Sequence, residues 1–543
     1  MKNDMIVNRQ ALLEGERKTV ESLWEDIERF IMPFRGEFFR DLKCEGEVNW
    51  RKRHIYDSTA IQAAQNLAAS VQSNLMNPST RWFNFMFRDK ELQSEDEARE
   101  WLETCADVVY YALSESDFNK EAAESITDMV GFGTSIIIEE ENDGLDFSSI
   151  PIREAYFEED VEGGIINLYR ILRWTPDQCE DFFVKGDYKR TDLPKEILEK
   201  LDTKESGTLK FDIIFCVYRR PLISKKITPP ISATLRPYGS KYVMKASKLT
   251  IGVEGGYYEM PAFCPRWRTT SGSRWGHSPS VIALPDVMTL NEVVETTLEV
   301  AAKVIDPPLI TTQRGIMSDV QLGRGGLTVL RDMDSLAPFN TGGRLDLGKL
   351  EIQRLQESIK ESFFVNQLEL KDSPAMTATE AQIRYELMQR LLGPTVGRMQ
   401  SDFLGPMLSR TFNIEARAGR LPPPPQIVID ANAEYDVEYT GPAARSHKQE
   451  EIISTQRWLQ SLAEYAQVDP SVLDVVDTIN MPQQMGIRGG VPAIMMRSND
   501  QIEAIRKDRE QQQKDASAAM QTEQDGKAME AMGKGQEALK VVK

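Results

Sequence analysis

The chain is 543 residues long and has little of what usually announces chemistry. Its three histidines, His54, His277 and His447, are scattered, so no paired-histidine metal motif exists. Its five cysteines, Cys44, Cys105, Cys179, Cys216 and Cys264, are odd in number and far apart. That argues against a disulfide framework and against a Cys-rich zinc site, and they read as small buried apolar residues. No apolar run approaches the roughly 18 residues needed to cross a bilayer. Met1-Lys2-Asn3-Asp4 leads into no apolar signal region, so synthesis in the cytoplasm and no membrane partner are expected. No internal repeat stands out. Between Ser498 and Lys543 there is no aromatic residue, and residues 501–543 are expected to form a polar helix or a disordered tail.

Positive charge is also short. Lys and Arg total 65 against 84 Asp and Glu, a net charge of −19. A tight, non-specific DNA binder is usually basic, because phosphate neutralisation dominates its affinity. The balance counts against a packaging nuclease or a histone-like protein.

Catalytic motifs fail their context tests. Gly343-Arg344-Leu345-Asp346-Leu347-Gly348-Lys349-Leu350 nearly fits a phosphate loop, but Leu350 stands where the metal-binding Ser or Thr belongs. The preceding Asp334–Thr341 stretch is polar and holds Pro338, unlike a buried strand. The loop Gly323-Arg324-Gly325-Gly326 lies in no dinucleotide-type unit. Three scattered histidines signal no local triad. Carboxylates are too common here to mark a catalytic pair, and an oxygen-ligand ion site stays open. The expectation is a protein that is not an enzyme and carries no catalytic residue, cofactor or metal.

What is present is patterning. Trp24, Ile27 and Ile31 keep helical spacing up to Pro33 and Gly36. Asp57 or Ser58 caps a helix that runs to Leu75 and stops at Asn77-Pro78. Phe83, Phe85 and Phe87 alternate as in a half-buried strand. Residues 95–130 read as helical, Gly131-Phe132-Gly133 as a break, and Ile136-Ile137-Ile138 as a strand start. From there to about residue 270, β-type segments dominate. The most regular helix follows, with Val287, Leu290, Val294, Leu298, Ala301 and Ile305 in one apolar stripe and Glu292, Glu295 and Glu299 in an acidic one. Asp306-Pro307-Pro308 stops it. After a Gly-rich excursion, a second helix carries Ile352, Leu355, Ile359 and Phe363, which suits an antiparallel pair. Thr377 and Glu380 have capping-box spacing ahead of Ile383, Leu387 and Leu391. A long helix then runs to about Gly419, with a kink or break expected at Gly393-Pro394. Pro422–Pro425 read as a rigid spacer, and Ile427-Val428-Ile429 and Tyr435–Tyr439 as strands.

Several strings share wording with one family. They are Tyr56-Asp57-Ser58-Thr59-Ala60, Asn77-Pro78 with Arg81-Trp82-Phe83, Asp306-Pro307-Pro308-Leu309, and Met376-Thr377-Ala378-Thr379-Glu380-Ala381-Gln382-Ile383-Arg384. Leu392-Gly393-Pro394, Arg398 to Pro406, and Tyr439 to Arg445 complete the set. On these the chain resembles portal proteins, the head-to-tail connectors of short-tailed, podovirus-type phages. The likeness spans roughly Asp26 to Arg509 and is weakest over 140–260.

The resemblance implies an α+β, mainly helical portal fold. Its parts would be a wing at 1–275, stem helices at 276–306 and 346–364, a clip at 307–345 and a tunnel loop at 365–376. A long wing helix at 377–420 and C-terminal wing strands with a crown at 421–500 would follow. The implied role is a ring, twelve-fold in the family, at one capsid vertex of the virion. It would be a channel for double-stranded DNA packaging and ejection, read without sequence specificity. Implied partners are the packaging terminase large subunit, the major capsid or scaffolding protein, and tail adaptor proteins.

Stem packing candidates are Leu290, Val294, Leu298, Ile352, Leu355 and Ile359. Channel-lining candidates are Glu292, Glu295, Glu299 and Lys371, the only basic residue of its loop. A charge run is usually a solvated outer face. Repeated around a ring, the three glutamates would instead repel phosphate within a Debye length of about 8 Å, letting DNA slide without adhering. A non-portal adaptor or scaffold is the alternative, though it would not need the helix pair. A nucleotide-driven motor would need the intact phosphate loop.

Overall fold

The structure is a computed structural model. It describes residues 1–35, 55–78, 80–141, 144–161, 163–185, 189–203, 206–221, 231–270, 272–311, 329, 336–338, 345–365, 392–431, 434–440, 453–463, 475–476, 481–482, 485–486, 501–502 and 504–516. The start of the Thr377 helix, Lys371 with the rest of 366–376, most of 307–345 and the expected kink's approach up to residue 391 lie outside them. So do Cys44, His54 and His447. Two compact units form, one drawn from residues 1–82 and 107–421, the other from 83–106 and 422–543.

In the first unit, helix α1 (Asn3–Phe30) starts well before the spacing at Trp24 made legible. Its first half lies on a sheet: Ile6 and Leu13 pack with Tyr156, Tyr169, Ile214, Cys216, Tyr218 and Val243. Arg17, fully buried, donates to the carbonyls of Ile152, Arg153 and Ala155 and to the Tyr156 hydroxyl. Its guanidinium stands 3.9 Å from the Tyr156 ring centre, so every polar edge of this buried cation is used. In the second half of α1, Trp24 donates to the Phe132 carbonyl at 3.2 Å.

After α2 (Thr59–Leu75) and α3 (Phe118–Phe132), Gly133 ends α3 in the left-handed conformation, φ 82°. A Cβ there would lie 2.2 Å from the Gly276 carbonyl oxygen, so the glycine is required both by conformation and by space. Strands β1 (Ile136–Glu141) and β2 (Leu145–Ile150) follow, then β3 (Ala155–Glu159) and β4 (Ile165–Trp174). Helices α4 (Pro176–Lys185) and α5 (Lys195–Leu201) precede β5 (Phe211–Arg219), β6 (Tyr238–Met244), β7 (Thr250–Tyr257) and β8 (Ala262–Phe263).

Strands β3 to β7 form an antiparallel five-stranded sheet in chain order, and β1 lies between β2 and β8 in a smaller one. The five-stranded sheet is covered on both faces. Along β5, Ile213, Phe215 and Val217 join Cys179, Phe183, Ile197 and Leu201 of α4 and α5, while Ile214, Cys216 and Tyr218 meet α1. Period-two alternation between two cores explains why this strand reads as one unbroken apolar run.

The long helix α6 (Pro279–Ile305) and α7 (Leu345–Ser362) complete the unit with α8 (Gly405–Arg417). A two-stranded antiparallel pair, Leu309–Thr311 with Leu336–Pro338, closes the base of the excursion between α6 and α7. Gly393 and Pro394 are the second and third described residues of a helical segment, 392–399, and the approach to the expected break lies outside the described residues. A π-turn follows at Gln400–Leu404 ahead of Pro406, whose missing N–H a wider turn accommodates.

In the second unit, Phe83–Phe87 pairs antiparallel with Tyr435–Tyr439, from Phe83 opposite Tyr439 to Phe87 opposite Tyr435. Phe83, Phe85 and Phe87 are buried, as their alternation requires. Trp101 donates to the Pro422 carbonyl at 2.9 Å. The expected strand Ile427-Val428-Ile429 is instead part of a helix, Gln426–Ala431. Val428 and Ile429 donate to the Pro425 carbonyl, and a proline run, lacking N–H groups, starts a helix without cost. Three β-branched residues are too short a run to decide between helix and strand. The described fold is α+β and mainly helical, as expected.

Candidate functional site

Helix α6 is built outward from a fixed base. Ser278 caps it, accepting from the Val281 amide at 3.3 Å, and Pro279 fills the first turn. The hydroxyls of Ser278 and Ser280 donate to the carbonyls of Gly131 and Val130 at 2.6 and 2.8 Å, tying the helix start to the end of α3. From there Ala283, Leu284, Val287 and Leu290 are buried.

Helix α7 runs antiparallel to α6. Ser358 donates to Asp286 at 2.7 Å near the base, and Gly348 meets Thr297 further out. A Cβ on Gly348 would lie 2.9 Å from the Thr297 hydroxyl oxygen, so the glycine is a point of close helix contact. This gives the near-miss phosphate loop a packing reason: its described glycine seats one helix on another. Lys349 beside it is exposed.

The segment before α2 straps the pair. The Tyr56 amide donates to Asn291 Oδ1 and its hydroxyl to Glu295 Oε1, both at 2.8 Å. Asp57 accepts from Gln356 of α7 at 2.8 Å and from the Thr59 amide at 2.8 Å. The hydrogen bond to Glu295, then the lost hydration and the charges of Glu295 and Glu299, hold the Tyr56 hydroxyl above its usual pKa.

The expected stem residues fall into three groups. Leu290, Leu355 and Ile359 are buried, Val294 and Ile352 are half-buried, and Leu298 is 54% exposed. Beyond Leu298 the apolar surface continues uncovered, with Val304, Ile305 (83% exposed) and Leu350. The acidic stripe also divides: Glu292 and Glu299 are exposed, while Glu295 is engaged by Tyr56. Lys371 lies outside the described residues. The strap residues Tyr56, Asn291 and Gln356 were missed from the sequence; Tyr56 stood in a string read as a helix cap and as family wording. Cys105, Cys179, Cys216 and Cys264 are buried, and burial pushes Cys105 and Cys179 up to about 12, so neither is a poised nucleophile.

A helix pair whose buried stripe gives way to exposed leucine, valine and isoleucine offers apolar surface for protein contact. The chain belongs to the bacteriophage head to tail connecting protein family, whose family model matches residues 3–496. It is 27% identical over 531 residues to the probable portal protein of Bordetella phage BPP-1, covering 95% of this chain and 92% of that one. It is 23% identical over 542 residues to the portal protein of Salmonella phage epsilon15, again covering 95% and 92%. Membership places the chain at the junction of phage head and tail, as a structural connector and not an enzyme. Among the described residues, no helix is long and apolar enough to cross a membrane.

Proposed function

We propose that this chain is the phage's portal: a closed ring of identical subunits, twelve by the family pattern, at one capsid vertex. Through its bore double-stranded DNA enters during packaging and leaves at ejection. The observation that carries the ring is the uncovered stripe Leu298, Val304, Ile305 and Leu350 on an otherwise packed helix pair. A neighbouring copy related by rotation would cover it, a heterologous contact that closes. Helices α6 and α7 then serve as the stem, residues 307–345 as the clip and 365–376 as the tunnel loop. Glu292 and Glu299 line the bore. The terminase large subunit, the capsid or scaffolding protein and the tail adaptors dock on the ring's outer surfaces.

Negative-stain imaging of the purified protein, averaged down the particle axis, tests this. Rings with a hole wide enough for duplex DNA are expected. Closed particles without a bore would favour an adaptor or scaffold.

A further inference from the structure

The first unit buries a set of charges that the connector reading does not use. Glu139, on the central strand β1 of the smaller sheet, has no exposed surface, and Arg410 of α8 is 2% exposed. The hydroxyl of Thr411 donates to Glu139 Oε1 at 2.8 Å. Arg410 Nε stands 3.3 Å from Glu139 Oε2, but neither atom makes a hydrogen bond. The rest of the Arg410 guanidinium is spent elsewhere, on the backbone oxygens of Glu139 and Glu259 and on the Glu259 carboxylate. Arg417, two turns along the same face of α8, takes the same Glu259 carboxylate with both terminal nitrogens, at 2.8 and 3.2 Å.

The charge around Glu139 is therefore under-compensated. Glu140 and Glu141 follow it on β1, with Glu140 bonded by the Tyr257 hydroxyl of β7 and Glu141 3.9 Å from Arg417. Glu259 approaches from the segment before β8, and Arg410 and Arg417 from α8. Arg410 and Arg417 must serve both Glu139 and Glu259, while Glu141 is within reach of Arg417 and Arg420. A buried carboxylate with one oxygen lacking a hydrogen bond loses hydration that its partner does not return.

We propose that Glu139 is a proton-sensing residue, and that its charge sets how firmly α8, with the π-turn before it, is held on the smaller sheet. Neutral Glu139 needs no counter-charge and keeps its contact with Thr411. Ionised Glu139 must be hydrated or fully paired, and lifting α8 is the way to admit water. The hold is strongest when Glu139 carries its proton. Burial is the largest influence on this carboxyl and, against the pull of Arg410 and Thr411, pushes it up to about 7. The proton is thus exchanged within the neutral range. This inference does not depend on the ring or its bore.

Hydrogen–deuterium exchange of the assembled protein, read on peptides covering 405–417 and corrected for the intrinsic pH dependence, tests it. Protection should fall by up to about tenfold per pH unit from about pH 5 to 7 and level off above, since opening releases one proton. Glu139→Gln should abolish that dependence. Thr411→Val removes a bond that favours the ionised form, so the levelling point should move up by about one pH unit. Should Glu139→Gln fail to fold, Thr411→Val still decides, because a purely structural role would change protection without moving its pH dependence. A flat wild-type profile, a Gln variant that keeps the slope, or a Val variant with an unmoved levelling point would overturn the proposal.

Discussion

At the residue scale, the informative side chains are buried charges. Asp128 of α3 behaves like Glu139: burial pushes it up to about 7, against the pull of Arg35 bonded at 2.5 Å. Both carboxyls bind protons more tightly folded than unfolded, where values of 3.8 and 4.5 apply. Their contribution is therefore fully present below about pH 4 and is lost as pH rises to about 7, on the order of 3–4 kcal/mol each at most. Glu254 has the opposite sign. Burial would raise it, but bonds from Tyr218, Lys241 and Arg220 outweigh this and hold it at about 2, so its effect falls between pH 4.5 and 2. Thermal unfolding should thus show a higher midpoint at pH 5 than at pH 8. Asp128→Asn should narrow that difference, and an equal difference in the variant would exclude Asp128 as a source.

At the element scale, the helix pair separates two kinds of leucine that the sequence pattern treats alike. Leu290 is 1% exposed and Leu298 54%. Leu290→Asp should unfold or severely destabilise the subunit, by more than about 3 kcal/mol, because it buries a charge. Leu298→Asp should leave the isolated subunit within about 1 kcal/mol and reduce ring formation, read by particle size and circular dichroism on the same sample. Gly348→Val should cost about 1–3 kcal/mol, since the new side chain meets Thr297 and must part the helices. A Val variant as stable as wild type would mean α7 is not seated at Gly348. The apolar period made both helices legible, and the turn residues at Ser278-Pro279 and Asp306-Pro307 made the ends of α6 legible. The strap through Tyr56 was not, because a contact across 235 residues leaves no local spacing to read.

At the scale of the whole molecule, a ring would repeat the charge of each subunit around its bore. With Glu292 and Glu299 in the bore, Glu292→Lys with Glu299→Lys should make rings that retain duplex DNA at low salt and release it as salt rises, since added lysines release counterions. Wild-type rings should not retain it. Reversed rings that ignore DNA would place these glutamates elsewhere. Deleting residues 367–373 should leave rings intact by imaging and reduce packaged DNA per particle. Normal packaging in that deletion would remove the tunnel-loop role.

The sequence by itself determined what short-range physics controls. Periods of two and of 3.6 marked the alternating phenylalanines at 83–87 and the stripe of α6, and glycine, proline and serine marked their ends. Those features depend on neighbours within a few residues, so they survive without the fold. It also carried the family wording, which local rules do not explain. Only the tertiary structure decided that Tyr435–Tyr439 pairs with Phe83–Phe87, that Ile427–Ile429 is helical, and that Glu295 is held by Tyr56 while Glu292 is open. It alone decided that Glu139 is buried opposite Arg410, 271 residues away. Such pairings are set by which surfaces meet when the cores close, and burial, not residue type, then fixes what each charge can do.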